Sequence, residues 1–133
     1  MKLAKPKPDS AGRERAERLR RDGMAAQSLR TAYPTVQYLR LELQFSGMGP
    51  ITPALQAHVL HPPARAFFEF PCPYADCGGA FNLTSAVNAA MGDSRGHSAG
   101  TLECAGLRSV SLSAKQPCKL QVMYKVDATF HPK

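Results

Sequence analysis

Leu120-Gln121-Val122-Met123-Tyr124-Lys125-Val126-Asp127-Ala128-Thr129-Phe130 decides the fold class. Leu120, Val122, Tyr124, Val126, Ala128 and Phe130 point one way, and Gln121, Met123, Lys125, Asp127 and Thr129 the other, which is the period of a half-buried strand. Residues 35–46 repeat that period, with Leu39, Leu41, Leu43 and Phe45 against Tyr38, Arg40, Glu42 and Gln44. Shorter strands are predicted at Ala66–Phe70 and from Thr101 to Leu107, the latter resuming at Val110–Leu112. Leu83, Ala86, Val87, Ala90 and Met91 follow a helical period instead, which gives a helix over Thr84–Met91 with Gly92 as its stop. Gly47, Gly49, Pro50 and Pro53 open an irregular connection through His58 and His61, with one helical turn around Pro53–His58. Residues 92–100 read as a mobile loop. Strands joined by short links favour a small antiparallel sheet of about four strands with helices on one face or end, an α+β fold.

The strand at 120–130 is preceded by Cys118, and the strand at 101–107 contains Cys104. A hairpin between them centred on Ser111 sets Cys104 opposite Cys118, Leu102 opposite Leu120 and Gly100 opposite Val122. Directly opposed side chains have Cβ atoms about 4.5–5.5 Å apart, close enough for two thiolates to share one ion.

The other two of the four cysteines lie in Pro71-Cys72-Pro73-Tyr74-Ala75-Asp76-Cys77-Gly78-Gly79, a tight turn leaving the Ala66–Phe70 strand. Prolines set its entry, and the glycines relieve crowding where backbone N–H groups must face sulfur. The spacing places Cys72, Cys77, Cys104 and Cys118 as ligands of a structural metal, Zn²⁺ first and iron second. Two disulfides, or four free thiols, are the competing readings; a redox pair would favour Cys-x-x-Cys, which is absent. His97 is a substitute ligand from the nearby glycine-rich segment, while His58, His61 and His131 read as surface residues.

Cys72-Pro73-x-x-x-Cys77-Gly78, followed by Cys104-Ala105-Gly106 and a terminal pair of strands, resembles a zinc-ribbon or related zinc-knuckle domain over residues 70–130. The resemblance implies a zinc-finger type of module that binds nucleic acid or protein within transcription, translation or replication machinery.

The formal charge of +7 is concentrated at the start of this 133-residue chain. Residues 1–30 hold nine Lys/Arg against four Asp/Glu, a balance of +5, which leaves +2 for the rest. Residues 1–9 read as a flexible basic tail, 10–33 as a basic helical arm starting at Ser10 and stopped by Pro34, and 35–131 as one zinc-stabilised domain. Gly23 allows the arm to be two shorter helices. Arg13, Arg15, Arg18, Arg20, Arg21 and Arg30 are candidate nucleic-acid contacts, with Tyr33, Tyr38 and Tyr74 available for stacking. A solvated helix laced by Glu14–Arg18 and Glu17–Arg21 pairs is the plainer alternative, and a protein-interaction adaptor on the same scaffold is the second functional one.

Hydrolase, phosphate-binding and deaminase motifs are missing, so the expectation is a non-catalytic protein with no small-molecule substrate. No apolar run approaches the ~20 residues of a membrane span. The basic start lacks the apolar stretch of an export signal, so a cytoplasmic location is expected.

Overall fold

The computed structural model describes residues 10–47, 54–74, 76–109 and 115–132. Helix α1 (Ser10–Ala25) and the single-turn α2 (Leu29–Ala32) precede a long strand, β1 (Val36–Ser46). Strands β2 (Leu55–Leu60), β3 (Glu69–Pro71) and β4 (Ala80–Asn82) lead to α3 (Thr84–Met91). Then come β5 (His97–Glu103), β6 (Leu107–Ser109), β7 (Lys115–Pro117) and β8 (Gln121–Phe130). The main sheet is antiparallel in the order β2-β1-β8-β5, and β3-β4 and β6-β7 form two short ribbons. The architecture is α+β, as the sequence implies.

The two long alternating stretches form the centre of the sheet. Leu41 lies opposite Val126 and Phe45 opposite Val122. Leu39, Leu41, Leu43, Val122 and Val126 are fully buried, and α3 contributes Ala86, Val87 and Ala90 to the same core. Helix α3 packs against β5 and β8, and α1 against β3.

Several expectations are corrected. The connection after β1 contains the edge strand β2 in place of an irregular path with a helical turn, at least over Leu55–Leu60. Its Gln56, His58 and Leu60 are half-buried, while Leu55, Ala57 and Val59 are exposed. Two polar groups share the inner side with Leu60 and three apolar ones face outward, so the pattern opposes the usual signal. The Ala66–Phe70 strand is confined to β3, because Ala66 and Phe68 bond outside any ladder: the Ala66 N–H donates to the Gln27 carbonyl, and the Phe68 carbonyl accepts from Leu83.

The supposed loop at 92–100 is strand from His97 onward. One oxygen of Asp93, Oδ2, accepts the Arg95 and His97 N–H groups at 3.0 and 3.1 Å, and this turn feeds the chain into β5. Gly96 has φ +67°, and a Cβ there would fall 2.4 Å from the Ala128 carbonyl oxygen. Residues 1–9 and the segment 110–112 lie outside the described residues.

The N-terminal helices break at residues 26–28, not at Gly23. Ser28 caps α2 by accepting the Thr31 N–H, while Gly23 lies beside the Phe67 ring. Leu29 is fully buried and its N–H donates to the Ala64 carbonyl at 2.7 Å. The ion pairs of α1 differ from the expected Glu14–Arg18 and Glu17–Arg21. Arg18 pairs with Asp22 and with Glu69 of β3, Arg20 with Glu17, and Arg21 with Asp22. Tertiary packing draws Arg18 off the helix surface toward Glu69, where its two terminal nitrogens reach both carboxylate oxygens.

His58 is a half-buried residue and not a surface one. Its ring stacks on Phe70 with centroids 4.5 Å apart, and its buried Nε2 has no hydrogen-bond partner. Burial holds its pKa below the ordinary 6.5. As pH falls through 6.5 the unfolded chain takes up a proton that the folded one resists, so acid destabilises the fold. His58→Phe is expected to flatten that slope. Between pH 7 and 5 the difference in thermal midpoint should shift in favour of the variant, and parallel curves would refute the assignment.

Candidate metal centre

Each cysteine stands where a short ribbon begins or ends. Cys72 follows β3 and donates its N–H to the Gly79 carbonyl at 3.0 Å, while Cys77 donates to Tyr74 at 3.1 Å, closing the turn into β4. Cys104 follows β5 and Cys118 follows β7.

The hairpin that carries the second pair is shifted by two residues from the sequence-based register. Leu102 lies opposite Val122 and Gly100 opposite Tyr124. The same register continues through β6 and β7, where Leu107 lies opposite Pro117. Cys104 therefore bonds to Leu120 and Cys118 to Gly106, and the two thiols are diagonal neighbours on one face and not directly opposed.

All four sulfurs nevertheless lie within 4.8 Å of one another. Cys72 Sγ is 3.7 Å from Cys118 Sγ, and Cys77 Sγ is 3.6 Å from Cys104 Sγ. A tetrahedral site with metal–sulfur bonds of about 2.3 Å has sulfur–sulfur edges of about 3.8 Å. A disulfide has about 2.05 Å. The spacing fits four ligands around one ion, and all four cysteines are free thiols. His97 stands outside the cluster, with Nδ1 2.7 Å from Asp127.

The backbone completes the cradle. The Gly79 N–H donates to Cys77 Sγ at 3.3 Å, and the Gly106 N–H to Cys104 Sγ at 3.4 Å. The Tyr74 N–H likewise bonds to the sulfur of Cys72. Each bond joins a sulfur to the N–H two residues on, and at Cys72 and Cys104 it favours the thiolate. Cys77-Gly78-Gly79 and Cys104-Ala105-Gly106 are thus the same device used twice, a repetition visible in the sequence but informative only once the two turns are seen to meet. The chain turns left-handed at Lys119, φ +54°, immediately after Cys118.

Burial opposes ionisation of the bare Cys72 and Cys104 thiols. It pushes the Cys104 pKa up to about 12, with the neighbouring thiols adding to the shift, and raises Cys72 further in the same way. Four thiolates collect here only if a cation balances them.

Two residues that carry no metal-binding signal brace the cluster. Arg108 bonds through Nε to Asp76 at 3.1 Å and lies over the Tyr74 ring, 3.8 Å from its centroid. Arg15 of α1 reaches the carbonyl oxygens of Cys77 and Gly79, the latter at 3.0 Å.

Among the arm's arginines, Arg15 and Arg18 thus face the protein, whereas Arg13, Arg20, Arg21 and Arg30 are exposed. Tyr33 donates to Asn88 at 2.7 Å, and Tyr38 lies near His61 on the surface.

The chain matches no protein-family model, no curated protein and no solved structure. No described helix is long and apolar enough to cross a membrane.

Proposed function

We propose that the protein is a non-catalytic structural-zinc domain, with one Zn²⁺ held by Cys72, Cys77, Cys104 and Cys118. The sulfur separations of 3.7 and 3.6 Å carry this reading, since they match the edges of a four-thiolate tetrahedron. Zinc is favoured over iron because a tetrahedral set of four thiolates is the usual structural-zinc ligand set. Four protein ligands leave no position for water, so the ion's role is to tie the β3-β4 turn to the β5-β8 hairpin. Native mass spectrometry of the reduced protein is expected to show the chain plus one zinc. The bare chain mass would overturn the reading.

The partner proposed for this scaffold is nucleic acid, bound through the basic N-terminal segment. Its support is the +5 balance of residues 1–30 and the four exposed arginines, Arg13, Arg20, Arg21 and Arg30. Retention on nucleic acid should weaken steeply with salt, and changing those four to Gln should lower the log–log slope by up to about 0.9 for each phosphate that is no longer neutralised. A protein without retention at low salt would instead be a protein-interaction adaptor.

A further inference from the structure

We infer that Arg15 is a positioning residue of the metal centre, and that through it metal binding and docking of α1 support each other. The inference rests on the four-thiolate reading above and goes beyond it by assigning a role to a residue far outside the cysteine motifs.

A single nitrogen, Nη1, donates to the Cys77 carbonyl and, at 3.0 Å, to the Gly79 carbonyl. These oxygens flank the Gly78–Gly79 peptide, whose N–H donates to Cys77 Sγ at 3.3 Å. Holding the carbonyls on either side fixes the direction in which that N–H points. The Gly79 carbonyl also accepts the Cys72 N–H at 3.0 Å, so Arg15 holds the Cys77 backbone directly and the Cys72 backbone through a shared acceptor.

Charge supplies the second argument. Arg15 joins no ion pair among the described residues, and its buried Nε has no hydrogen-bond partner. A half-buried guanidinium with its Nε out of water is stabilised by a nearby counter-charge. Four thiolates around a divalent ion carry a net charge of −2, and Arg15 sits against the backbone of that anion. Arg18, one turn further along α1, has its own carboxylate in Glu69 and faces β3 instead. The two arginines dock the same helix, but only one touches the knuckle.

The test is zinc affinity of the full-length protein, measured by competition with a chromophoric chelator, together with the visible spectrum of the Co²⁺-substituted protein. Arg15→Gln is expected to weaken zinc binding by about 10–100-fold, the usual effect of losing an outer-shell partner, and to displace the Co²⁺ bands. Arg15→Lys keeps the charge with a shorter reach and should fall between the two. Arg18→Gln loosens the same helix without touching the knuckle, so its loss, carried through helix docking alone, should be smaller than that of Arg15→Gln.

Wild-type affinity and spectrum in Arg15→Gln would overturn the inference and leave the metal reading standing. Equal losses in Arg15→Gln and Arg18→Gln would overturn it too, since helix docking alone would then be responsible. So would Arg15→Lys binding no better than Arg15→Gln. If Arg15→Gln fails to fold in excess zinc, Arg15→Lys against Arg18→Gln decides: the lysine variant should bind more weakly, and equal or tighter binding would refute the role. A wild-type protein that takes up no metal would overturn the metal reading and this inference together.

Discussion

Removing the metal with a chelator is expected to abolish the β3-β4 and β6-β7 ribbons and the turns between them. These ribbons have three residues per strand, far too few to persist alone. Zinc bound by four thiolates contributes roughly 10–16 kcal/mol of apparent free energy at neutral pH, as much as the ~5–15 kcal/mol by which a whole domain is stable. Hydrogen exchange should lose protection in β3, β4, β6 and β7 and at Cys72, Cys77, Cys104 and Cys118, and Cys77→Ser should reproduce the loss.

Acid should make extraction easier, because protons compete with the metal for the sulfurs, and thiols with raised pKa values hold protons the more firmly. The metal-free chain should show the opposite trend. A thiol whose folded pKa lies above its ordinary 9.0 contributes stability that is present below pH 9 and is lost as pH rises toward about 12. Exchange patterns unaffected by the chelator would contradict the structural role of the ion.

Adding one methyl group at Gly106 or Gly79 is expected to be as damaging as losing a cysteine. A Cβ on Gly106 would stand 2.6 Å from the Gly79 nitrogen and 2.8 Å from Cys77 Sγ. One on Gly79 would stand 2.4 Å from Cys104 Sγ. The obstacles are backbone and ligand atoms, which cannot swing aside as the end of a flexible side chain would. Gly106→Ala and Gly79→Ala should each cost at least about 4 kcal/mol, the range reserved for a broken site, with zinc stoichiometry falling below one. Gly92→Ala is the control. Its backbone is helical at φ −85°, and a Cβ there meets nothing closer than 3.8 Å. It should be neutral or gain up to about 1 kcal/mol from a less flexible unfolded chain. Equal midpoints for all three variants would show that the two turns do not meet as described.

The cluster itself was legible because chemistry as well as periodicity marks it. Cysteines beside Pro and Gly, with two of them flanking a hairpin, point to one ion whatever the details of pairing. Its bracing was not. Arg15 and Arg108 carry no local signature of a metal site, and both read as surface charge until the fold sets them against the knuckle backbone. Glu69 redirects Arg18 in the same way, replacing a pairing that helical spacing alone would favour.

Sequence by itself determined the two central strands, the helix at Thr84–Met91, the α+β class and the set of four thiols. Each rests on a local rule: a period of two, a period of 3.6, or a residue type whose chemistry is specific. Tertiary structure alone decided the edges and the registers. In β2 Leu55, Ala57 and Val59 face outward, because His58 and Gln56 are tolerated beside Leu60 on the half-buried side of an edge strand, so the pattern gave no warning. The hairpin register is the clearest case. Pairing Leu102 with Leu120 or with Val122 buries the same face, since a shift of two residues leaves every side chain on its own side of the sheet. Periodicity cannot choose between them. The choice falls to the meeting of Gly79 with Gly106 and of four sulfurs around one point, contacts between segments that only the folded chain brings together.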